Sequence, residues 1–204
     1  MSLRHPHPRT VLVLFVVLVI GLAATSVLSF VLPGAKLLAI LIGWFVVIGA
    51  TVGAHMSAGR RSWVRWLGLP AAALLGLGMM MLSEDLALSG AGERVEAVVV
   101  DHTLEVREGA HTTYTHTYTL ESVDGRPIDE PMVYRGKGGF DGVDEGTEVV
   151  VLVDPDGEVP TKPADTVDIG ADIAVLIVGL LASAGVFGAC AVSAARRTVV
   201  RQPR

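Results

Sequence analysis

The sequence predicts a membrane α+β protein, with four transmembrane helices and one small all-β domain inserted between helices 3 and 4. The 204-residue chain is 51% hydrophobic and 18% charged, whereas an ordinary soluble domain is roughly 25% charged. In addition, all 21 acidic residues lie between Glu84 and Asp172, together with only six basic residues. An apolar part of net charge +10 is therefore joined to an acidic part of net charge −15.

Four apolar segments are long enough to be membrane-spanning helices, which need about 20 mainly apolar residues. Segments without a charged residue occupy 10–32, 37–56, 66–83 and 173–195. Two alternatives stay open at this point. Residues 1–32 are a cleaved signal peptide, or 66–83, which is short and rich in glycine, is a re-entrant or tilted element. The first run is longer than the roughly 7–15 apolar residues of a signal peptide, which favours a retained helix.

The charge distribution predicts three regions and an orientation. Residues 1–83 contain the N-terminus and helices 1–3, residues 84–169 form the β-domain with its linkers, and residues 170–204 contain helix 4 and a basic tail. Nine arginines flank the spans at the ends that share one side of the membrane. Basic residues accumulate on the cytoplasmic side, so we expect both termini in the cytoplasm and residues 84–172 outside it.

No charged residue lies within a predicted span, which argues against an ion-coupled carrier, because a buried charge that persists in a membrane usually has a function. Small residues recur at four-residue spacing, which lets helix backbones approach closely. The pairs are Gly49/Gly53, Ala72/Gly76, Gly179/Ser183 and Gly185/Ala189. They predict packing within the bundle or, alternatively, a face for a membrane-protein partner or a second copy. Cys190 lies within the fourth span, and we expect it to be buried.

The acidic region shows the period-two alternation of β-strands over 94–107 and 111–123. Pro127 and Pro131 predict an edge or irregular strand over 126–135, and 147–154 is predicted to be a strong strand. Glu108-Gly109-Ala110 and Asp124-Gly125 are the expected hairpin turns. The first turn predicts the pairs Leu104–Tyr114, Val100–Tyr118 and Val98–Leu120, all on one apolar face. Four strands of this length predict a small open barrel of the OB-like or SH3-like type.

The same register places His102 opposite His116. Two imidazoles on neighbouring strands are a candidate metal site or acid sensor, but a closed metal site needs three or four ligands, and the pattern supplies no third. We therefore predict no metal site and no cofactor.

The sequence contains no hydrolase, protease or phosphate-loop motif, so we predict no catalytic residues and a protein that is not an enzyme. Gly136-Lys137-Gly138-Gly139 is interpreted as a flexible turn. Six acidic residues fall among turn residues and are interpreted as solvated loops: Asp141, Asp144, Glu145, Asp154, Asp156 and Glu158. The net charge of −15 disfavours nucleic acid and anionic lipid as ligands of this domain, so we predict no nucleic-acid partner.

Three segments carry a family resemblance. They are V-E-A-V-V-V from Val95, Y-T-L-E-S-V-D-G from Tyr118 and G-T-E-V-V-V-L-V-D-P from Gly146. With the last helix, they resemble a bacterial integral-membrane family known only as a domain of unknown function. The resemblance implies a β-module outside a bacterial plasma membrane, flanked by spans, and it supplies no activity.

These observations predict a non-catalytic, multi-pass membrane protein whose β-domain binds a protein or an envelope component. The alternative is an accessory or regulatory subunit of a membrane protease, transporter or secretion complex. The expected partners are the lipid bilayer and a membrane protein or second copy that packs on the small-residue helix faces.

Overall fold

The computed structural model describes residues 8–31, 36–57, 62–109, 111–155, 157 and 159–200. Within these residues, three helices precede an antiparallel sheet and a fourth follows it. The elements are α1 (Pro8–Val31), α2 (Lys36–Ser57), α3 (Ser62–Ala91), β1 (Glu93–Arg107), β2 (Thr113–Ser122), β3 (Pro127–Arg135), β4 (Glu148–Val153), β5 (Lys162–Pro163) and α4 (Ile169–Val200). The chain divides into a helical unit, Met1–Ser83 with Gly170–Arg204, and a β-unit, Glu84–Ile169.

All four helices in the described residues are long and apolar enough to cross a membrane. The predicted spans are therefore confirmed as helices, although Leu32 lies outside the described residues. At 30 and 32 residues, α3 and α4 would be about 45 and 48 Å long, which exceeds the roughly 30 Å of hydrocarbon. The third predicted span, 66–83, lies within α3, which continues to Ala91 as one helix with Pro70 inside it.

The helical unit has a small core and an apolar outer surface. Leu18, Leu75 and Cys190 are fully buried in the core, which confirms the expected burial of Cys190. In contrast, Phe45 is 75% exposed and Trp66 is 78% exposed. Apolar surface on this scale is rare on soluble monomers and is typical of helices that face lipid.

The small-residue positions of the helical unit fall into two groups. A Cβ atom on Gly179 would lie 2.6 Å from the backbone nitrogen of Leu75, and one on Gly53 would lie 2.8 Å from the side chain of Leu14. These two glycines therefore permit close helix packing within the unit. In contrast, a Cβ atom on Gly49 or Gly185 would meet no atom of the described residues within 4 Å.

The β-unit is built on a curled antiparallel sheet, a half-barrel with the strand order β3-β2-β1-β4-β5 in the described residues. Each of the four predicted strands is present, with ends within two residues of the expectation. The curl encloses a core of side chains from β1 to β4. Its buried members are Ala97, Val99, Tyr118, Leu120, Met132 and Val151.

The predicted register of the first hairpin is wrong by two residues. Leu104 pairs with His116, and Val106 takes the predicted place opposite Tyr114. The ladder closes at Arg107 and Thr113, so the connection is longer than the expected three residues, and Ala110 of the predicted turn lies outside the described residues. A shift of two keeps side chains on the same face, so the apolar pattern alone could not distinguish the two registers.

Because of a β-bulge at Val100, the residues of β1 that face the core differ from those predicted. The register shifts between Val99 and Asp101, so one residue of β1 is extra. Ala97 and Val99 are buried, whereas Val100, expected in the core, is 47% exposed. The predicted pairs Val98–Leu120 and Val100–Tyr118 are therefore wrong, because Val99 faces Leu120. Because the bulge adds one residue to β1, the alternation of core-facing and outward-facing residues shifts by one position beyond it.

The second hairpin also has a longer loop than predicted. Ser122 N–H donates to the Arg126 carbonyl, which leaves a three-residue loop, Val123-Asp124-Gly125, instead of the two-residue turn. Gly125 has a φ of +77°, the left-handed conformation that this loop type requires at its last position. Asp124-Gly125 therefore marks the turn but does not by itself specify its length.

Candidate functional site

The two histidines singled out by the sequence meet in the β-unit. His102 Nε2 lies 2.9 Å from His116 Nδ1, and the rings are nearly parallel. They are diagonal neighbours, because His102 pairs directly with Tyr118 and stacks on it at 4.4 Å between ring centroids. The expected direct pairing of His102 with His116 is wrong, for the same two-residue shift, yet their contact is present.

These rings form part of an aromatic cluster, defined here as His102, His116, Tyr118, Tyr134 and Phe140. The Tyr118 hydroxyl accepts a hydrogen bond from the Phe140 N–H at 3.2 Å. Gly139, with a φ of +69°, lies so close that an added Cβ would be 2.5 Å from the Tyr118 hydroxyl oxygen. The glycine-rich segment predicted to be a turn therefore packs onto the cluster at Gly139, whereas its Lys137 is exposed.

The chemistry of the histidine pair is limited by its own hydrogen bond. One ring nitrogen must donate and the other accept, so the two facing nitrogens cannot both carry a proton. His116 is 6% exposed, and its Nε2 has no hydrogen-bond partner among the described residues. No group of three or more His, Cys, Asp or Glu in the described residues is placed to hold a metal ion. The pair accordingly lacks the ligand number of a closed site.

A second feature of the β-unit is an open groove with a volume of about 670 Å³. Its walls come from the start of β1, the first half of β3 and the end of β4. We call it the acidic groove, because four carboxylates and one guanidinium line it: Glu93, Asp129, Glu130, Asp154 and Arg126. Val95, Ile128, Val153 and three prolines supply its apolar surface.

The charges of the acidic groove differ in their availability to a ligand. Arg126 Nη2 lies 3.4 Å from the Asp124 carboxylate, and both side chains are exposed. Asp154 has a structural task, because its Oδ2 accepts the Val159 N–H at 2.9 Å and so holds the turn after β4. Glu93 and Asp129 are exposed, which leaves their charge open to a ligand in solution.

A third feature, absent from the sequence expectations, is the lysine–carboxylate cluster of Lys162, Glu84 and Asp85. Lys162 Nζ lies 2.8 Å from Asp85 Oδ1 and 3.3 Å from Glu84 Oε2. The other oxygen of Asp85, which is 5% exposed, accepts the Asp168 N–H at 3.2 Å. The sequence separation of 77 residues between Asp85 and Lys162 explains why no local pattern could predict the contact.

The carboxylates raise the pKa of Lys162 above its ordinary value of 10.5. Burial of the ammonium group is the largest single influence and acts to lower the pKa. The hydrogen bond to Asp85 and the charges of Glu84 and Asp85 together outweigh it. Lys162 therefore stays charged at neutral pH and binds the end of α3 to β5.

The acidic residues predicted to lie in solvated loops are placed as follows. Asp141, Asp144 and Glu145 are exposed in the turns between β3 and β4, where the Asp144 N–H donates to the Thr147 hydroxyl. Asp156 and Glu158 lie outside the described residues. Of the six, Asp154 alone lines the acidic groove in the described part of the chain.

The described residues thus combine four helices that are long and apolar enough to cross a membrane with a curled antiparallel sheet that follows α3 and precedes α4. No protein family, curated protein or solved structure matches the chain.

Proposed function

We propose that this protein is a non-catalytic, multi-pass protein of a bacterial plasma membrane whose β-unit binds a protein partner outside the cytoplasm. The acidic groove carries the proposal, because it is large enough for several side chains of a ligand and mixes carboxylates with apolar surface. Such a surface complements a polypeptide segment that is both basic and apolar. The half-barrel around it is of the OB-like or SH3-like type of open barrel.

The proposed orientation follows from the arginines. Both termini lie in the cytoplasm, since nine arginines flank the spans on that side, and residues 84–172 lie outside.

Photo-crosslinking of the full-length protein in its native membrane tests the proposed function. A photoreactive residue at Asp129, on the groove, is compared with one at Glu145, which is also an exposed carboxylate but lies outside the groove. We expect a discrete protein adduct from position 129 only, and we expect it to weaken in the Glu93→Lys and Glu130→Lys variants. Equal adducts from both positions, or an adduct insensitive to charge reversal, would contradict the proposal.

An accessory role in a larger membrane complex is the second candidate function, and one observation favours it. Gly49 and Gly185 leave open space beside their helices among the described residues, so another helix could approach there closely. A membrane partner that is lost in Gly49→Leu or Gly185→Leu, while the groove adduct persists, would favour this role.

A further inference from the structure

The second half of β1, Asp101–Arg107, is paired on one side only. β4 pairs with β1 over Glu93–Val98. The last backbone hydrogen bonds on this side of β1 join Val99 to Thr147 and Gly146, which directly precede β4. β2 covers the other side of β1 as far as Arg107. Within the described residues no strand pairs with the remaining side, so we call Asp101–Arg107 the open edge.

The hydrogen-bond pattern identifies which backbone groups point out of the open edge. The Tyr114 carbonyl and the Ser122 N–H form hydrogen bonds on the β3 side of β2. Backbone groups alternate in direction along a strand, so the N–H and C=O groups of the odd-numbered residues between Tyr114 and Ser122 point to β1. Beyond the bulge they meet odd-numbered residues of β1, such as Thr103 opposite Thr117. The N–H and C=O groups of His102, Leu104 and Val106 therefore point outward and are available to another strand.

The side chains of the open edge are distributed on two faces. Leu104 and Val106 lie on the face of Tyr118 and are 48% and 46% exposed. Asp101 and Arg107 lie on the opposite face and are exposed, and Arg107 contacts Glu105 at 2.8 Å with both side chains largely in solvent. An exposed edge with apolar side chains and free backbone groups is a template for strand addition.

The open edge is complementary to itself. Suppose that the open edge of a second copy lies antiparallel to this one, with the two Leu104 residues opposite each other. Each residue on one side of Leu104 then faces the residue at the same distance on its other side in the second copy. Leu104 then faces Leu104 of the second copy, and His102 faces its Val106. These are the residues with outward backbone groups, so each pair would exchange two hydrogen bonds.

The charges of the open edge fit the same arrangement. Asp101 of each copy faces Arg107 of the other, which places opposite charges directly across from each other twice about one two-fold axis. A different strand would have to present a basic residue opposite Asp101 and an acidic one opposite Arg107. This strand supplies both, at the correct spacing.

We propose that two copies of this chain associate through Asp101–Arg107, so that their sheets join in one continuous sheet across a two-fold axis. The inference does not depend on the acidic groove, whose lining residues are different ones. Failure of one proposal therefore leaves the other untouched.

A disulfide at the two-fold axis tests the arrangement. The full-length protein carries Leu104→Cys on a Cys190→Ala background and is oxidised in its native membrane. Facing Cα atoms in such a pair lie about 5.5 Å apart, within the range that a disulfide can bridge. We expect a covalent dimer, and we expect little from Val133→Cys, an exposed position on β3 that serves as the matched control.

A charge swap tests the register. Asp101→Arg alone would place like charges opposite each other, and we expect the Leu104→Cys dimer to fall about tenfold. Adding Arg107→Asp restores opposite charges in the reversed order, and the dimer should return. No dimer above the Val133→Cys level, no effect of Asp101→Arg, or no rescue would overturn the proposal. An adduct with another protein in place of the dimer would assign the edge to that protein and also overturn it.

Discussion

Lys162 is held by two carboxylates from α3, and its loss should destabilise the β-unit. Lys162→Met leaves the nearly buried Asp85 carboxylate without its cation, so we expect the free energy of unfolding to fall by about 2–3 kcal/mol. Hydrogen exchange of β1–β4 peptides in the full-length protein measures the loss. Glu84→Gln is the control and should cost less than about 1 kcal/mol, because its contact is longer, at 3.3 Å. Equal losses in the two variants would contradict this assignment.

The raised pKa of Lys162 predicts the pH dependence of this stabilisation. A group whose pKa is higher in the folded state contributes fully below its unfolded pKa, here 10.5, and loses the contribution as the pH rises through the folded value. The stability difference between the natural protein and Lys162→Met should therefore be constant from about pH 7 to 9. It should shrink only when the pH rises beyond the ordinary pKa of 10.5. A difference that already shrinks below pH 9 would show that another group is responsible.

Two glycines of the β-unit allow backbone strain to be separated from crowding. Gly139 and Gly142 have similar φ values of +69° and +71°, but only Gly139 lies against Tyr118. Gly142→Ala should cost about 1 kcal/mol from its backbone conformation alone, whereas Gly139→Ala should cost about 2–3 kcal/mol, because its methyl group meets the tyrosine hydroxyl. Thermal unfolding followed by the near-ultraviolet signal of tyrosine measures both. Similar losses would mean that the segment does not pack as described.

At the scale of elements, α4 contains a matched pair of glycines that tests helix packing. Gly179→Leu would drive a side chain into the backbone of α3 at Leu75, so we expect the helical unit to lose its stable fold in detergent. Gly185→Leu fills open space among the described residues and should leave the melting temperature nearly unchanged. Tryptophan fluorescence is the measurement, because Trp44, Trp63 and Trp66 all lie in the helical unit. Equal effects of the two substitutions would contradict the packing.

The elements also show how far local patterns extend. Alternation located β1 and β2 to within two residues, since period two depends only on which side chains face the core. It did not determine their pairing, because registers that differ by two place the same faces together. The bulge at Val100 likewise leaves no local signal, so the burial of Val99 in place of Val100 required the structure.

For the whole molecule, the proposed orientation has a direct test. Asp141→Cys lies in the β-unit and Arg196→Cys near the end of α4, and both positions are exposed. On the Cys190→Ala background, a membrane-impermeant maleimide added to intact cells with a permeabilised outer barrier should label position 141 and spare position 196. The reverse labelling would show that the orientation is opposite to the proposed one, and it would remove the basis for an extracytoplasmic partner.

The amino-acid sequence by itself determined the division of this protein into apolar helices and an acidic β-unit. Hydrophobicity and charge are properties of single residues and of short segments, so they can be evaluated without knowledge of distant contacts. Only the tertiary structure decided which residues meet across the chain. The lysine–carboxylate cluster, the acidic groove and the open edge all depend on contacts between distant segments, and pairing between such segments is set by the packing of the complete fold.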